Sequence, residues 1–250
     1  MEILNLFLVC LAAFLAGCLN SLAGGGSFIT LPALLFVGIP PVLANTTSAA
    51  VLLPGYLGSV LGFKNTFSTI DYKKILPLLL ISIICSVGGA ISLINTSNEF
   101  FLKFIPFLIL IATLMFIINP SLNQTQSSTS SGFLRNIGLA LVSTYGGYFN
   151  GGLGIALLSV LSLGKEFSLK QMSAIKSFLS FLITTVSVII FFFNDFIVWS
   201  YVFYMVFFAI MGGFFGAKLT ELLPSQWVRR FVILVGSVLS FSLIYTSYFK

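Results

Sequence analysis

The stretch AGCLNSLAGGGSFITLPALLFVGIPPVLANTTS, Ala16–Ser48, decides how the rest of the chain reads. It lies inside apolar sequence, yet it holds Gly24-Gly25-Gly26, a proline at position 32, the pair Pro40-Pro41 and the polar run Asn45-Thr46-Thr47-Ser48. Hydrocarbon offers the backbone no hydrogen bonds, so irregular backbone at membrane depth must be packed in protein or line a wet cavity. Helices broken in this way are where secondary transporters place their substrate sites.

Composition puts this break in a membrane. Of 250 residues, 58% are hydrophobic and only 7% charged, with a mean hydropathy of +1.11. About a quarter of a soluble domain is charged, so this chain cannot wet its own surface. Apolar runs of about 20 residues indicate helices, and the alternation of a β-barrel is missing. The first 60 residues carry no Lys or Arg, so no cleavable signal peptide is expected. Cys10, Cys18 and Cys85 sit in apolar runs without CxxC spacing and read as small buried hydrophobes. No histidine is present and the acids number six, which leaves almost no material for metal or acid–base chemistry. The net charge of +6 is not gathered into a basic run with interleaved aromatics, so nucleic acid is not a partner.

Outward from the break, apolar runs fall at about 3–22, 28–38, 42–63, 75–95 and 100–118. The polar stretch NPSLNQTQSSTSSG reads as a linker over 119–133. Runs at about 134–150, 153–164, 172–193, 198–217 and 228–248 repeat the same long, short, long, long, long rhythm. Gly25-Gly26 and Gly38 recur as Gly151-Gly152 and Gly164 at one spacing, and Gly88-Gly89 recurs as Gly212-Gly213. Such matches point to a duplication, and the two Gly pairs fit close helix packing. The expected organisation is a first membrane repeat over 1–118 and a second over 134–250.

Charge sets the orientation. Lys64, Lys73, Lys74, Arg135, Lys165, Lys170, Lys218, Arg229 and Arg230 fall on one side when crossings are counted, and Lys103 and Lys250 on the other. By the positive-inside rule the first group is cytoplasmic and both termini are outside. Each half then crosses an odd number of times, so the halves are oppositely oriented. The expected fold is an all-α polytopic membrane protein of two inverted-topology repeats, each of about five segments, with short broken helices near the midplane.

Within this frame the candidate ligand-binding residues follow. Successive N–H groups at Gly24, Gly25, Gly26 and Ser27 can converge on an anion, and the positive end of the following short helix favours the same sign. Ser27 or Thr30 is expected to cap that helix. The second break offers Gly151 and Gly152, with Asn20 and Asn150 preceding the two breaks as polar linings or caps. Asn45, Thr46, Thr47 and Ser48 read either as helix N-caps or as hydroxyl and amide donors to an oxyanion. Lys176, with Ser177 beside it, lies inside a membrane segment, where a lysine is costly and is either functional or snorkelling. The phenylalanines Phe191-Phe192-Phe193, Phe207-Phe208 and Phe214-Phe215 read as lipid-facing bulk, and Asp71 and Asp195 as exposed loop acids.

The order of glycine triplet, Leu-Pro-Ala-Leu-Leu, later glycine and small polar cluster in Ala16–Ser48 closely resembles the first-repeat signature of the TauE/SafE sulfite exporter family. GGYFNGGLG, AIKSF and GGFFGAKL in the second half are similar to that family's second copy. The resemblance covers nearly the whole chain. It implies export of sulfite, sulfoacetate or a related organosulfonate across the inner (plasma) membrane of a bacterium. It places the glycine motif on Gly24, Gly25 and Gly26, the helix-start motif on Thr46, Thr47 and Ser48, and the second-copy lysine on Lys176. The chain departs from many members in having Asn20 where they carry an acid. It also lacks their Thr-Asn-Lys run near Thr47-Ser48-Ala49. No cofactor and no catalytic or metal-binding residue is expected. The expected partners are a small anion, the lipid bilayer, a coupling ion (proton or sodium) and, as the commonest symmetric assembly, a second copy in a homodimer. The competing reading is an anion channel, or a permease for a different small anion.

Overall fold

The structure, a computed structural model, describes residues 3–118, 132–164, 166–219 and 225–248. Most of the expected linker lies outside the described residues. Among those described there is no strand. The helices are α1 (Ile3–Ala23), α2 (Ser27–Phe36), α3 (Pro41–Gly62), α4 (Lys64–Phe67), α5 (Tyr72–Ile94) and α6 (Asn98–Ile118), then α7 (Gly132–Tyr148), α8 (Leu153–Leu161), α9 (Leu169–Phe193), α10 (Trp199–Leu219) and α11 (Ser225–Tyr248). Every expected apolar run is a helix. The single turn α4 was not expected, and α7 begins at Gly132 rather than at 134.

Four stretches within these helices are long and apolar enough to cross a membrane: Ile3–Asn20, Tyr72–Ile94, Lys170–Phe193 and Trp199–Gly216. At 1.5 Å per residue, the 10 residues of α2 and the 9 of α8 reach only about half of the roughly 30 Å hydrocarbon core. Neither can cross alone.

Packing follows the glycines. Helix α1 lies on α10, α5 on α7, α6 on α11 and α3 on α9, while α2 fits between α1 and α3 and α8 between α7 and α9. In two of these pairs backbone meets backbone. A methyl group on Gly17 would overlap the Ala209 carbonyl, and one on Gly212 the Phe14 carbonyl. Likewise, methyls on Gly147 and Gly89 would overlap the carbonyls of Ser86 and Thr144. Small residues that let helix backbones touch replace the missing hydrophobic drive between helices in lipid. Of the expected glycine pairs, Gly89 and Gly212 make these contacts, whereas Gly88 faces open space.

The two short helices have separate cores. Phe28, Leu31 and Leu34 of α2 join buried residues of α1, α3, α6 and α10. Leu153, Leu157 and Leu161 of α8 join those of α5, α7 and α9. Phe192, Phe193, Phe207, Phe208, Phe214 and Phe215 face outward, as expected of lipid-facing bulk. Phe191 is the exception and is fully buried, because it packs into the α2 side of the core.

Arg135 is also unlike a solvated loop charge. It is buried at the start of α7 and its Nη1 donates to Glu166 Oε2 at 2.7 Å, fastening the α8–α9 connection. Asp71 and Asp195 are exposed, as expected, and Asp71 caps α5 by accepting from the Lys73 N–H. The cysteines are free thiols.

Candidate functional site

Glycine makes the first break possible. Gly24 adopts a left-handed φ of +79°, a conformation that L side chains rarely tolerate. It stops α1, its N–H bonding back to the Asn20 carbonyl at 3.0 Å. Gly26 packs so tightly that a methyl there would stand 2.8 Å from the Ala16 carbonyl oxygen. Helix α2 then starts at Ser27. Its opening N–H groups have no acceptor within the helix, as at any helix start. Among the described residues the N–H groups of Gly25, Gly26 and Ser27 have no hydrogen-bond partner, and the Ser27 hydroxyl has none either. The expected cap is absent: no side chain caps α2. Ser27 is the first helical residue, one position too late to cap. Thr30 instead pairs its hydroxyl with Ser48 Oγ at 2.5 Å.

The second break uses the same device. Gly152, at φ +73°, starts α8, and the N–H groups of Gly151, Gly152 and Gly154 have no partner among the described residues. Tyr145 donates its hydroxyl to the Gly151 carbonyl at 2.5 Å, which holds the turn. The two breaks touch. A methyl on Gly24 would stand 3.4 Å from the Gly154 Cα, and one on Gly151 would stand 3.0 Å from the Phe28 ring. The amino ends of α2 and α8 therefore meet with unpaired donors on both, and both carry the positive end of a helix dipole.

Lys176 enters at this junction. Its Cδ and Cε pass 3.7 and 4.0 Å from where a Gly154 Cβ would be, so the stem lies in van der Waals range of the second break. The residue is half-buried, and its ammonium forms no hydrogen bond or ion pair with a described residue. Ser177 is buried beside it and donates to the Ser173 carbonyl at 3.0 Å.

A polar cluster adjoins the breaks, with Asn20 one helical turn before Gly24 and Asn150 directly before Gly151. Asn150 is buried, accepts from the Tyr56 hydroxyl at 2.9 Å and donates to Thr184 Oγ1 at 2.9 Å. Asn20 borders the same tyrosine and the Gly55 backbone, and its Oδ1 is shielded without a partner. Neither asparagine caps a helix. Ser180 Oγ, between Lys176 and Thr184 along α9, is likewise buried without a partner.

The run Asn45–Ser48 does not stand at a helix start. Helix α3 begins at Pro41, with Pro40 as its N-cap residue, so these side chains are a full turn inside and cannot cap. Asn45 Nδ2 donates to the Tyr148 carbonyl at 3.0 Å. Thr46 donates to the Phe196 carbonyl, and Thr47 Oγ1 accepts from the Val198 N–H at 3.1 Å. Thr46 and Thr47 thus fasten α3 to the α9–α10 connection, away from the glycine junction. At the other end, Gln171 Nε2 donates to the Thr69 carbonyl at 3.1 Å, fastening α9 to the α3–α5 connection.

The structure therefore brings together Gly24, Gly25, Gly26, Ser27, Gly151, Gly152 and Lys176, sets Asn20 one turn before the first break and Asn150 directly before the second, and separates Thr46 and Thr47. Sequence reasoning missed Tyr56, Gly154 and Thr184. The available signal was a polar stripe recurring every three or four residues along α9, Ser173, Lys176, Ser177, Ser180, Thr184 and Ser187.

The family described as Sulfite exporter TauE/SafE matches residues 9–243. A probable membrane transporter protein of Haemophilus influenzae is 28% identical over 236 residues, covering 93% of this chain and 91% of the relative. A probable membrane transporter protein (ORF9) of Sinorhizobium is 27% identical, covering 93% and 90%. YfcA of Escherichia coli K12, also named a probable membrane transporter protein, is 25% identical over 245 residues, covering 94% and 88%. No solved structure matches the chain significantly.

Proposed function

Since the chain belongs to the sulfite exporter TauE/SafE family of membrane transporters, we propose that it exports a small sulfur-containing anion across the bacterial inner membrane by alternating access. Sulfite, sulfoacetate or a related organosulfonate is the substrate class. The observation that carries the reading is the junction of Gly24 and Gly154 beside Lys176. Two helix ends whose N–H groups have no partner among the described residues adjoin at Gly24 and Gly154, and the stem of Lys176, whose ammonium likewise has none there, passes beside Gly154. Buried unpaired donors are costly, and an oxyanion with several acceptor oxygens satisfies them together. Charge-assisted bonds of this kind are about twice as strong as neutral ones.

In this reading Gly25, Gly26, Ser27, Gly151 and Gly152 replace the anion's hydration shell, and Lys176 balances its charge. Ser177 and Ser48 complete the lining. Asn20 and Asn150, through Tyr56, position the two breaks. Thr46 and Thr47 are gate residues rather than ligands.

The same reading makes the two halves inverted repeats, over 1–118 and 134–250, with both termini outside the cytoplasm. Exchanging α1 with α7 and α5 with α10 turns the Gly17–Ala209 contact into Gly147–Ser86, and Gly212–Phe14 into Gly89–Thr144. Asn20 and Asn150 correspond under the same exchange. These correspondences support the repeat, and the charge distribution supports its inversion.

Purified protein in liposomes tests the proposal. Labelled sulfite or sulfoacetate should exchange across the bilayer, and Lys176→Met should weaken its binding about tenfold or more, since a hydrogen bond to a charged group contributes about 1.5–3 kcal/mol. Absence of exchange for every sulfur anion under proton and sodium gradients would remove the substrate assignment. Unchanged binding in Lys176→Met would remove the lysine from the site.

A further inference from the structure

Between α3 and α5 the chain runs through residues 63–71, including the turn α4, whereas α9 and α10 are joined by residues 194–198 alone. The longer connection leaves a groove of about 430 Å³ on the flank of the molecule, walled by Val60, Phe67, Leu79 and Phe178 and edged by Tyr72 and Lys73. That volume falls within the roughly 300–1,000 Å³ of small-ligand pockets. Apart from Tyr72 and Lys73, every residue lining it is apolar.

The charge at its edge has no partner. Lys73 and Lys74 occupy the first turn of α5, both exposed, and neither pairs with a carboxylate among the described residues. Asp71, the acid nearest in sequence, uses its carboxylate to accept the Lys73 backbone N–H at 3.0 Å. Two lysines at the positive end of a helix stand against its dipole, and an anion placed beside them relieves that repulsion. Lys170, exposed at the start of α9, adds a third positive charge to the same end of the molecule, where Gln171 holds Thr69.

We propose that this groove is a binding site for an anionic phospholipid, one acyl chain lying against Val60, Leu79 and Phe178 and the headgroup phosphate held by Lys73 and Lys74. A membrane-embedded apolar groove admits hydrocarbon, and the lysine pair selects the headgroup. Each basic residue near a membrane surface favours anionic lipid by an amount that makes two of them worth roughly thirtyfold. The site also reaches the anion junction from behind. Phe178 packs edge-on to Phe67 with ring centroids 5.7 Å apart, and it follows Lys176 and Ser177 within the same turn of α9. A chain in the groove therefore braces the turn that presents Lys176.

Native mass spectrometry of the purified protein, with equal phosphatidylglycerol and phosphatidylcholine added to the micelles, tests this directly and needs no transport assay. Phosphatidylglycerol should be retained roughly thirtyfold over phosphatidylcholine. The double variant Lys73→Gln and Lys74→Gln, at exposed positions, should bring the ratio near one, and Val60→Trp should lower retention of both lipids. Leu76→Trp, at a half-exposed lining position, serves the same end should Val60→Trp not fold. Equal retention by the unaltered protein overturns the proposal, as does a preference that survives loss of both lysines or retention that neither tryptophan alters.

Discussion

Gly154 marks where the proposed site comes together. Its backbone adjoins Gly24 and the stem of Lys176 from α9, so three stretches remote in sequence meet there. Lys176 was legible in the sequence, because a lysine inside an apolar segment is costly. The role of Gly154 was not, since nothing linear shows that position 24 will lie against position 154. Tyr56 was hidden for the same reason: its partner Asn150 is brought to it only by folding. Two glycines separate strain from function. Gly24 and Gly38 both have left-handed φ values, +79° and +88°, but a methyl on Gly38 meets nothing. Alanine at either position should cost about 1–2 kcal/mol of stability, read as similar falls in melting temperature. Only Gly24→Ala should weaken anion binding, because only it disturbs the junction. Tyr56→Phe should leave Asn150 Oδ1 buried without a donor and cost about 1–3 kcal/mol. An unchanged melting temperature for that variant would show that the bond contributes nothing.

Among the helices, rhythm was readable and fastening was not. The long, short, long pattern located α2 and α8, whose lengths follow from Gly24–Gly26 and Gly151-Gly152 interrupting apolar sequence. The polar run Asn45–Ser48 misled as a helix start because Pro40-Pro41 begin α3 a turn earlier, with the Val42 N–H taken by Asn98 Oδ1. Phe191 misled because phenylalanine looks alike whether it faces lipid or core. The glycine pairs were half right, and that half is measurable. Gly89→Ala would drive a methyl into the Thr144 carbonyl and Gly212→Ala one into the Phe14 carbonyl. Backbone cannot yield as a side chain can, so each should cost about 1–3 kcal/mol or more. Gly88→Ala meets open space and should be neutral or stabilising by up to about 1 kcal/mol. Thermal unfolding in detergent gives the comparison. Equal effects at positions 88 and 89 would mean that α5 and α7 are not packed backbone to backbone.

For the whole molecule, the proposed alternating access requires that each face can open while the other is held. In the proposed inverted repeat, two fastenings stand at corresponding places. Thr46 and Thr47 tie the first half's third helix to the connection after the second half's third helix. Gln171 ties the second half's third helix to the matching connection in the first half. The Thr pair is fully buried, whereas Gln171 and Thr69 are more open to solvent, so the Thr fastening is the tighter one in this conformation. Each neutral hydrogen bond contributes about 0.5–1.5 kcal/mol net. Removing two of them therefore biases a two-state equilibrium by about tenfold toward opening on that side. Thr46→Val with Thr47→Val should favour the state open on the side of the α9–α10 connection, and Gln171→Ala the state open on the side of the α3–α5 connection. With Cys10, Cys18 and Cys85 replaced by alanine, a single Ser177→Cys reports the outcome through its reaction with a membrane-impermeant thiol reagent. In oriented vesicles the Thr double variant should label faster from one face and Gln171→Ala faster from the opposite face. Labelling from the same face in both variants would contradict two opposed gates around one site, and labelling from both faces at once in either variant would indicate a channel.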